Sequence, residues 1–146
     1  MPTVARRTCW LIVVAALAWL AAAPALAEGS EAALHKLVIQ VSDNDAQKWN
    51  LALNNARNVQ DDLGADAVDL EIVVYGPGIG MLKTDSPVAK RVADALSAGV
   101  KIVACENTMK AQKLAYPDML PNIGYVPAGV VELMKKQQQG YAYIRP

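Results

Sequence analysis

The chain predicts an α/β domain: a parallel sheet with helices on both faces. Three observations carry that prediction. Short apolar, β-branched runs recur along the chain, most of them end in Gly-, Asn- or Asp-containing turns, and stretches with helical i, i+3, i+4 apolar spacing separate one run from the next. Such alternation requires crossover connections, which are right-handed, and puts the ligand-facing loops at the carboxyl ends of the strands.

The first strand is His35 to Val41, HKLVIQV, with Leu37, Val38, Ile39 and Val41 as its core. It runs into Ser42-Asp43-Asn44-Asp45, four good helix N-caps, and then into a helix to Gly64 whose stripe is Trp49, Ala52, Leu53, Ala56, Val59 and Leu63. Ala67 to Tyr75 is the second strand, followed by the glycine-rich GPGIGML. Ser86 caps a second helix with Pro87 in its first turn; this helix buries Val88, Ala89, Val92, Ala93 and Leu96, and Gly99 ends it. Val100 to Ala104 is a third strand, and Asn107 onward a third helix that stops at Tyr116-Pro117. Ile123 to Val126 is a fourth short strand, Val130, Val131, Leu133 and Met134 mark a fourth helix, and Tyr141 to Ile144 is the last strand.

Residues 1–27 read as a secretory signal peptide. Arg6 and Arg7 are its basic start, Leu11 to Ala23 its apolar centre, and Ala25-Leu26-Ala27 its cleavage site. The apolar run is shorter than the ~20 residues of a membrane-spanning helix, so contact with a membrane is expected only before cleavage. The mature protein is then periplasmic, with a loose arm at residues 28–34 and one domain at 35–146. Fourteen basic and fourteen acidic residues balance in the whole chain; without Arg6 and Arg7 twelve face fourteen, a net charge of minus two. No basic patch suggests nucleic acid.

Of two cysteines, Cys9 leaves with the leader and Cys105 remains alone. That excludes an internal disulfide and a Cys-x-x-Cys pair, and leaves one thiol in an oxidising compartment. Cys105 lies where the third strand turns into a helix, near unpaired amides that favour an anion. Two readings stay open: a working thiolate, with Asn107 and Thr108 steadying the anion, or a small apolar filler. Loops at the same edge add Asp43 and Asn44, and Gly76, Gly78 and Gly80, as candidate ligand-binding residues. The glycines match neither G-x-x-x-x-G-K-[ST] nor G-x-G-x-x-G, so a nucleotide is not implied, and neither a cofactor nor a resident metal is expected. The single histidine, His35, begins a strand and so faces away from this edge, which removes the nucleophile–histidine pair of a hydrolase.

YGPGIGML after the second strand, GVKIVACENTM around the third, and VPAGVVELMKKQQQGYAYIRP at the end resemble the DsrE/DsrF-like family, over roughly Lys36 to Pro146. The resemblance implies a three-layer α/β/α sandwich with a mainly parallel five-stranded sheet, and homo-oligomers such as trimers or hexamers. In the best understood branch it implies a sulfur relay in which a cysteine after a strand carries a persulfide between donor and acceptor proteins or small sulfur compounds. Cys105 is the corresponding residue. This chain departs from that branch in its leader and in following Cys105 with Glu106, whose carboxylate raises a thiol's pKa if it points at the sulfur. The alternative function is a non-catalytic oligomeric binding module, with Cys105 structural or, together with Met81 and Met109, a ligand of a soft metal such as Cu(I).

Overall fold

The computed structural model describes residues 34–146, and the leader and most of the proposed arm lie outside them. Five strands form one sheet: β1 (His35–Val41), β2 (Val68–Val74), β3 (Lys101–Cys105), β4 (Gly124–Val126) and β5 (Ala142–Ile144). All neighbours pair in parallel, in the order β4-β3-β2-β1-β5. Four α-helices connect them: α1 (Ala46–Leu63), α2 (Ala89–Ser97), α3 (Glu106–Ala111) and α4 (Gly129–Gln138).

This order explains where each helix lies. From β1 to β4 the chain steps along the sheet in one direction, so right-handed crossovers put α1, α2 and α3 on one face. The last connection returns across the whole sheet to place β5 beside β1, and the same handedness sends α4 to the opposite face. Contacts agree: Trp49, Leu53, Val92 and Met109 from the first three helices join Leu37, Ile39, Leu70, Ile72, Ile102 and Ala104 in the main core. On the other face Leu133 of α4 meets Val38, Val73 and Tyr141 in a second, much smaller cluster.

Helix α1 starts as its sequence dictates, with the Asp45 carboxylate accepting from the Gln47 and Lys48 N–H groups. Its stripe is buried as far as Ala56, whereas Leu63 at the far end is exposed. Helix α2 begins at Ala89, later than the Ser86-Pro87 pair implies. The Ser86 carbonyl accepts from Ala89 N–H in a separate turn, and Ser86 Oγ receives only a long 3.4 Å contact from Val88 N–H. Ala93 is exposed, and Ala95 packs on the core with Leu96 in its place. GPGIGML is a 3-10 helix, Gly76–Leu82, whose Ile79, Met81 and Leu82 are fully buried. Among the described residues no helix is long and apolar enough to cross a membrane.

Candidate functional site at the end of the third strand

Strand alternation turns Ile102 and Ala104 into the main core and Val103 and Cys105 toward the α4 face. Cys105 is the last residue of β3 and opposes Val126, the last residue of β4. After Cys105 the chain goes to α3 on one face; after Val126 it goes to α4 on the other. Adjacent parallel strands whose connections part in this way open a crevice at their carboxyl ends, where ligands of open α/β sheets bind. Cys105 is the side chain at that fork.

The thiol is buried, 5% exposed, but its surroundings are polar. Burial pushes its pKa up, yet it is held below the ordinary thiol value by four donors: the Thr108 hydroxyl first, then the N–H groups of Gly129, Thr108 and Asn107. These come from both helices that begin at the fork. The Asn107 N–H also donates to the Pro127 carbonyl at 3.1 Å, tying the two helix entries together. That carbonyl is the acceptor for the thiol's own proton, 3.9 Å from Sγ. The groups around the sulfur therefore serve either protonation state, those that favour the anion being the more numerous.

Thr108 is fixed from behind. The Gly76 N–H donates to its Oγ1 at 2.9 Å, leaving the hydroxyl proton free to donate to the sulfur. Gln112, just past the end of α3, donates from Nε2 to the Gly76 carbonyl at 3.2 Å, so Thr108 and Gln112 hold both the N–H and the carbonyl of this glycine. Gly76 has φ of 56°, a conformation that strains other residues. Glu106, whose direction decides whether it opposes the thiolate, turns outward and accepts from the Tyr116 hydroxyl at 2.6 Å; Tyr116 in turn meets Tyr125 edge-on at 4.7 Å.

The structure thus brings Cys105, Asn107, Thr108 and Gly76 together. The remaining candidates form a neighbouring shoulder. A Cβ on Gly78 would lie 2.7 Å from the Val41 carbonyl oxygen, and its N–H donates to the Ser42 carbonyl. Gly80 lies against Trp49 and the Asn44 amide oxygen. The Asp43 carboxylate, held below the usual range chiefly by its hydrogen bond from Lys48, also binds Arg145 at 3.4 Å. Met81 and Met109 are packed in the main apolar core, to which Cys105 does not belong. His35 is exposed at the opposite end of β1. Among the described residues no three His, Cys, Asp or Glu side chains cluster as metal ligands. Gly129 and Pro127 are the contributors that residue type alone does not mark, since both act through main-chain atoms.

Comparison with known proteins identifies the group to which this geometry belongs. The family model for DsrE/DsrF-like proteins matches residues 35–146. The chain belongs to the DsrE/DsrF-like family. Among solved structures, the protein MTH1491 of Methanobacterium thermoautotrophicum, of unknown function, is 32% identical with a TM-score of 0.73, over 77% of this chain and 99% of that one. The protein BT1422 of Bacteroides thetaiotaomicron, also of unknown function, is 17% identical with a TM-score of 0.62, over 76% and 94%. The ychN protein of E. coli is 9% identical with a TM-score of 0.61, over 77% and 99%. The last two likenesses concern the fold. No curated protein matches the chain.

Proposed function

We propose that this DsrE/DsrF-like protein is a sulfur carrier in which Cys105 takes up sulfane sulfur as a persulfide. The observation that carries the reading is the place of a single thiol at the β3–β4 fork, between the entries of α3 and α4 that the Asn107 N–H to Pro127 carbonyl bond ties together. There, nearby amides and the Thr108 hydroxyl favour the anion. In the loading step the Cys105 thiolate attacks the outer sulfur of a donor persulfide, R–S–SH. A new S–S bond forms to Cys105, the donor's S–S bond breaks, and R–S⁻ leaves with the electron pair. Unloading is the same exchange with an acceptor thiolate, so no external oxidant or reductant is needed. Thr108, Asn107 and Gly129 stabilise the attacking anion; Gly76 aims Thr108; Asp43, Asn44, Gly78 and Gly80 hold the adjacent shoulder of the sheet edge.

The carrier works in the periplasm after loss of residues 1–27, as a homo-oligomer of three or six subunits. One preparation tests these statements together. Protein recovered from the periplasm and incubated with polysulfide is expected, by intact mass, to begin at Glu28 and to gain sulfur that dithiothreitol removes. Native mass gives the subunit number. Cys105→Ser is expected to gain none; sulfur uptake equal in Cys105→Ser and the wild type ends the proposal.

A further inference from the structure

The face of the sheet under α4 carries an ion pair that the sulfur chemistry does not use. Glu71, in the middle of β2, is 4% exposed, and its Oε2 lies 2.7 Å from Lys136 Nζ. Its other oxygen, Oε1, is buried and has no partner. Lys136 is itself shielded: its ammonium sits 4.8 Å above the Tyr141 ring, with Glu132 3.9 Å away. Lys101 and Asp69 complete the charged groups around the pair. A half-satisfied carboxylate in such a place depends on its one cation, because the desolvated charge has little else to offset it.

The position of Lys136 on α4 gives the pair a further role. Gly129, Leu133 and Lys136 follow each other at i, i+4 and i+7, one stripe of the helix, and all three face the sheet. At the top of this stripe Gly129 lies two residues after Pro127, whose carbonyl is 3.9 Å from the Cys105 sulfur; the Gly129 amide lowers the thiol's pKa, and a Cβ on Gly129 would meet Tyr75 at 3.0 Å. At the bottom, ~10 Å along the helix, Lys136 meets Glu71. Between them the one buried side chain of α4 is that of Leu133. The apolar contact is thin, so the ends of the stripe fix how the helix lies.

We propose that Lys136 and Glu71 are positioning residues for the thiol: their ion pair seats α4 on the sheet and thereby keeps the Gly129 amide on Cys105. The inference rests on reading Cys105 as a thiolate site and adds what holds that site in shape. Burial pushes the Glu71 carboxyl up in spite of Lys136, as expected of a charge that tolerates its place only while the lysine is there.

The test is a titration of the Cys105 thiolate by its ultraviolet absorbance in the full chain, in half-molar salt, where the screening length falls to about 4 Å. Along β2, Glu71 is four residues from Tyr75, ~13 Å at the rise of a strand; salt screens buried charges little, so the charge-conserving Glu71→Asp is the variant that separates seating of the helix from a direct charge effect. Lys136→Met is expected to raise the thiol midpoint by about one pH unit, roughly tenfold less thiolate at a fixed pH. Glu71→Asp keeps every charge but withdraws the carboxylate from Lys136, and is expected to shift the midpoint the same way by less. The double replacement Glu71→Met with Lys136→Met seats the helix with apolar groups and is expected to restore the wild-type midpoint. Variants that melt earlier with an unchanged midpoint overturn the proposal, as does a double variant that stays shifted. Should Lys136→Met fail to fold, Glu71→Asp and the double variant still decide. A wild-type midpoint at or above the ordinary thiol value would instead sink the thiolate reading itself.

Discussion

Ile39, Ile72 and Ile102 stand side by side across β1, β2 and β3 and face α1 and α2; one residue earlier in the same register, Val38, Glu71 and Lys101 face α4. The first row is all hydrocarbon, the second an aliphatic, a buried acid and a base. The first face is covered by helices on three successive crossovers, the second by one helix that must also leave room for the β3–β4 fork. Where cover is complete, burying apolar surface suffices. Where a single helix spans the face, the sequence uses ion pairs, at Lys136–Glu71 and Lys101–Asp69, and the helix keeps an outer surface on which Val130 and Met134 are exposed. The thiol belongs to the second face but borrows one helix, α3, anchored in the first through Met109.

The contrast is sharpest for two leucines of equal burial, Leu53 on α1 at 4% exposure and Leu133 on α4 at 5%. Leu53→Ala opens a cavity inside a large, closed core and is expected to cost about 4 kcal/mol; Leu133→Ala sits in a cluster that can collapse and is expected to cost about 2 kcal/mol. Urea denaturation with a common slope measures both. Equal losses would break the comparison and make α4 as firmly packed as α1.

Much of this architecture was legible in the chain. Alternating apolar runs and amphipathic stretches announce a parallel sheet, and Asp45 and Gly99 punctuate it where expected, whereas the third helix ends at Ala111, well before Tyr116-Pro117, which form a separate 3-10 turn. The order of strands was not legible, because nothing local to VPAGVVELMKK says that the following strand returns to β1. With the order missing, the β3–β4 fork was missing too, and Cys105 could be placed at the strand end but not in the crevice. Strand alternation puts Pro127 to Gly129 at the same sheet edge, but the roles of the Gly129 amide and the Pro127 carbonyl were not legible: every residue has such groups, and only the crossing of two helices brings these two to the sulfur. Glu71 sits within VDLEIVV, where strand periodicity marks it as half of an alternating face without indicating that the face is covered.

The acid in that row makes the second face sensitive to pH in a way the first is not. Burial raises the Glu71 pKa above 4.5, its ordinary value. The folded state therefore binds this proton more tightly than the unfolded state. The resulting stabilisation is full below pH 4.5 and is lost as pH rises through the raised pKa. Asp69 works in a different window. Burial pushes it up, but hydrogen bonds from Lys101 and Tyr141 hold it below 3.8, so its contribution is present above that value and lost in stronger acid. Glu71→Gln removes the first titration and leaves the second. Its stability relative to wild type is expected to increase as pH climbs from 4.5 toward neutrality, read from urea midpoints at successive pH values. Parallel curves would mean that Glu71 is ionised at no net cost and that the two faces differ only in area.

The smallest expected effect separates the two helices that meet at the sulfur. Thr108 reaches Cys105 from α3, whose Met109 is held by the large core, so its replacement should change the thiol without loosening the helix. Thr108→Val keeps the shape but removes the hydroxyl that receives the Gly76 N–H and helps hold the thiol's pKa down. The thiol midpoint is expected to rise by about half a pH unit, roughly threefold less thiolate at a fixed pH, while Thr108→Ser stays near wild type. Iodoacetamide labelling as a function of pH reads both the midpoint and, from its plateau at high pH, access to the sulfur. A lower plateau or a faster one with no change in midpoint would mean that Thr108 only packs the crevice. A raised midpoint with the plateau preserved means that the donor held by the apolar face acts independently of α4, and that the ionisation of one sulfur is set jointly by both sides of the sheet.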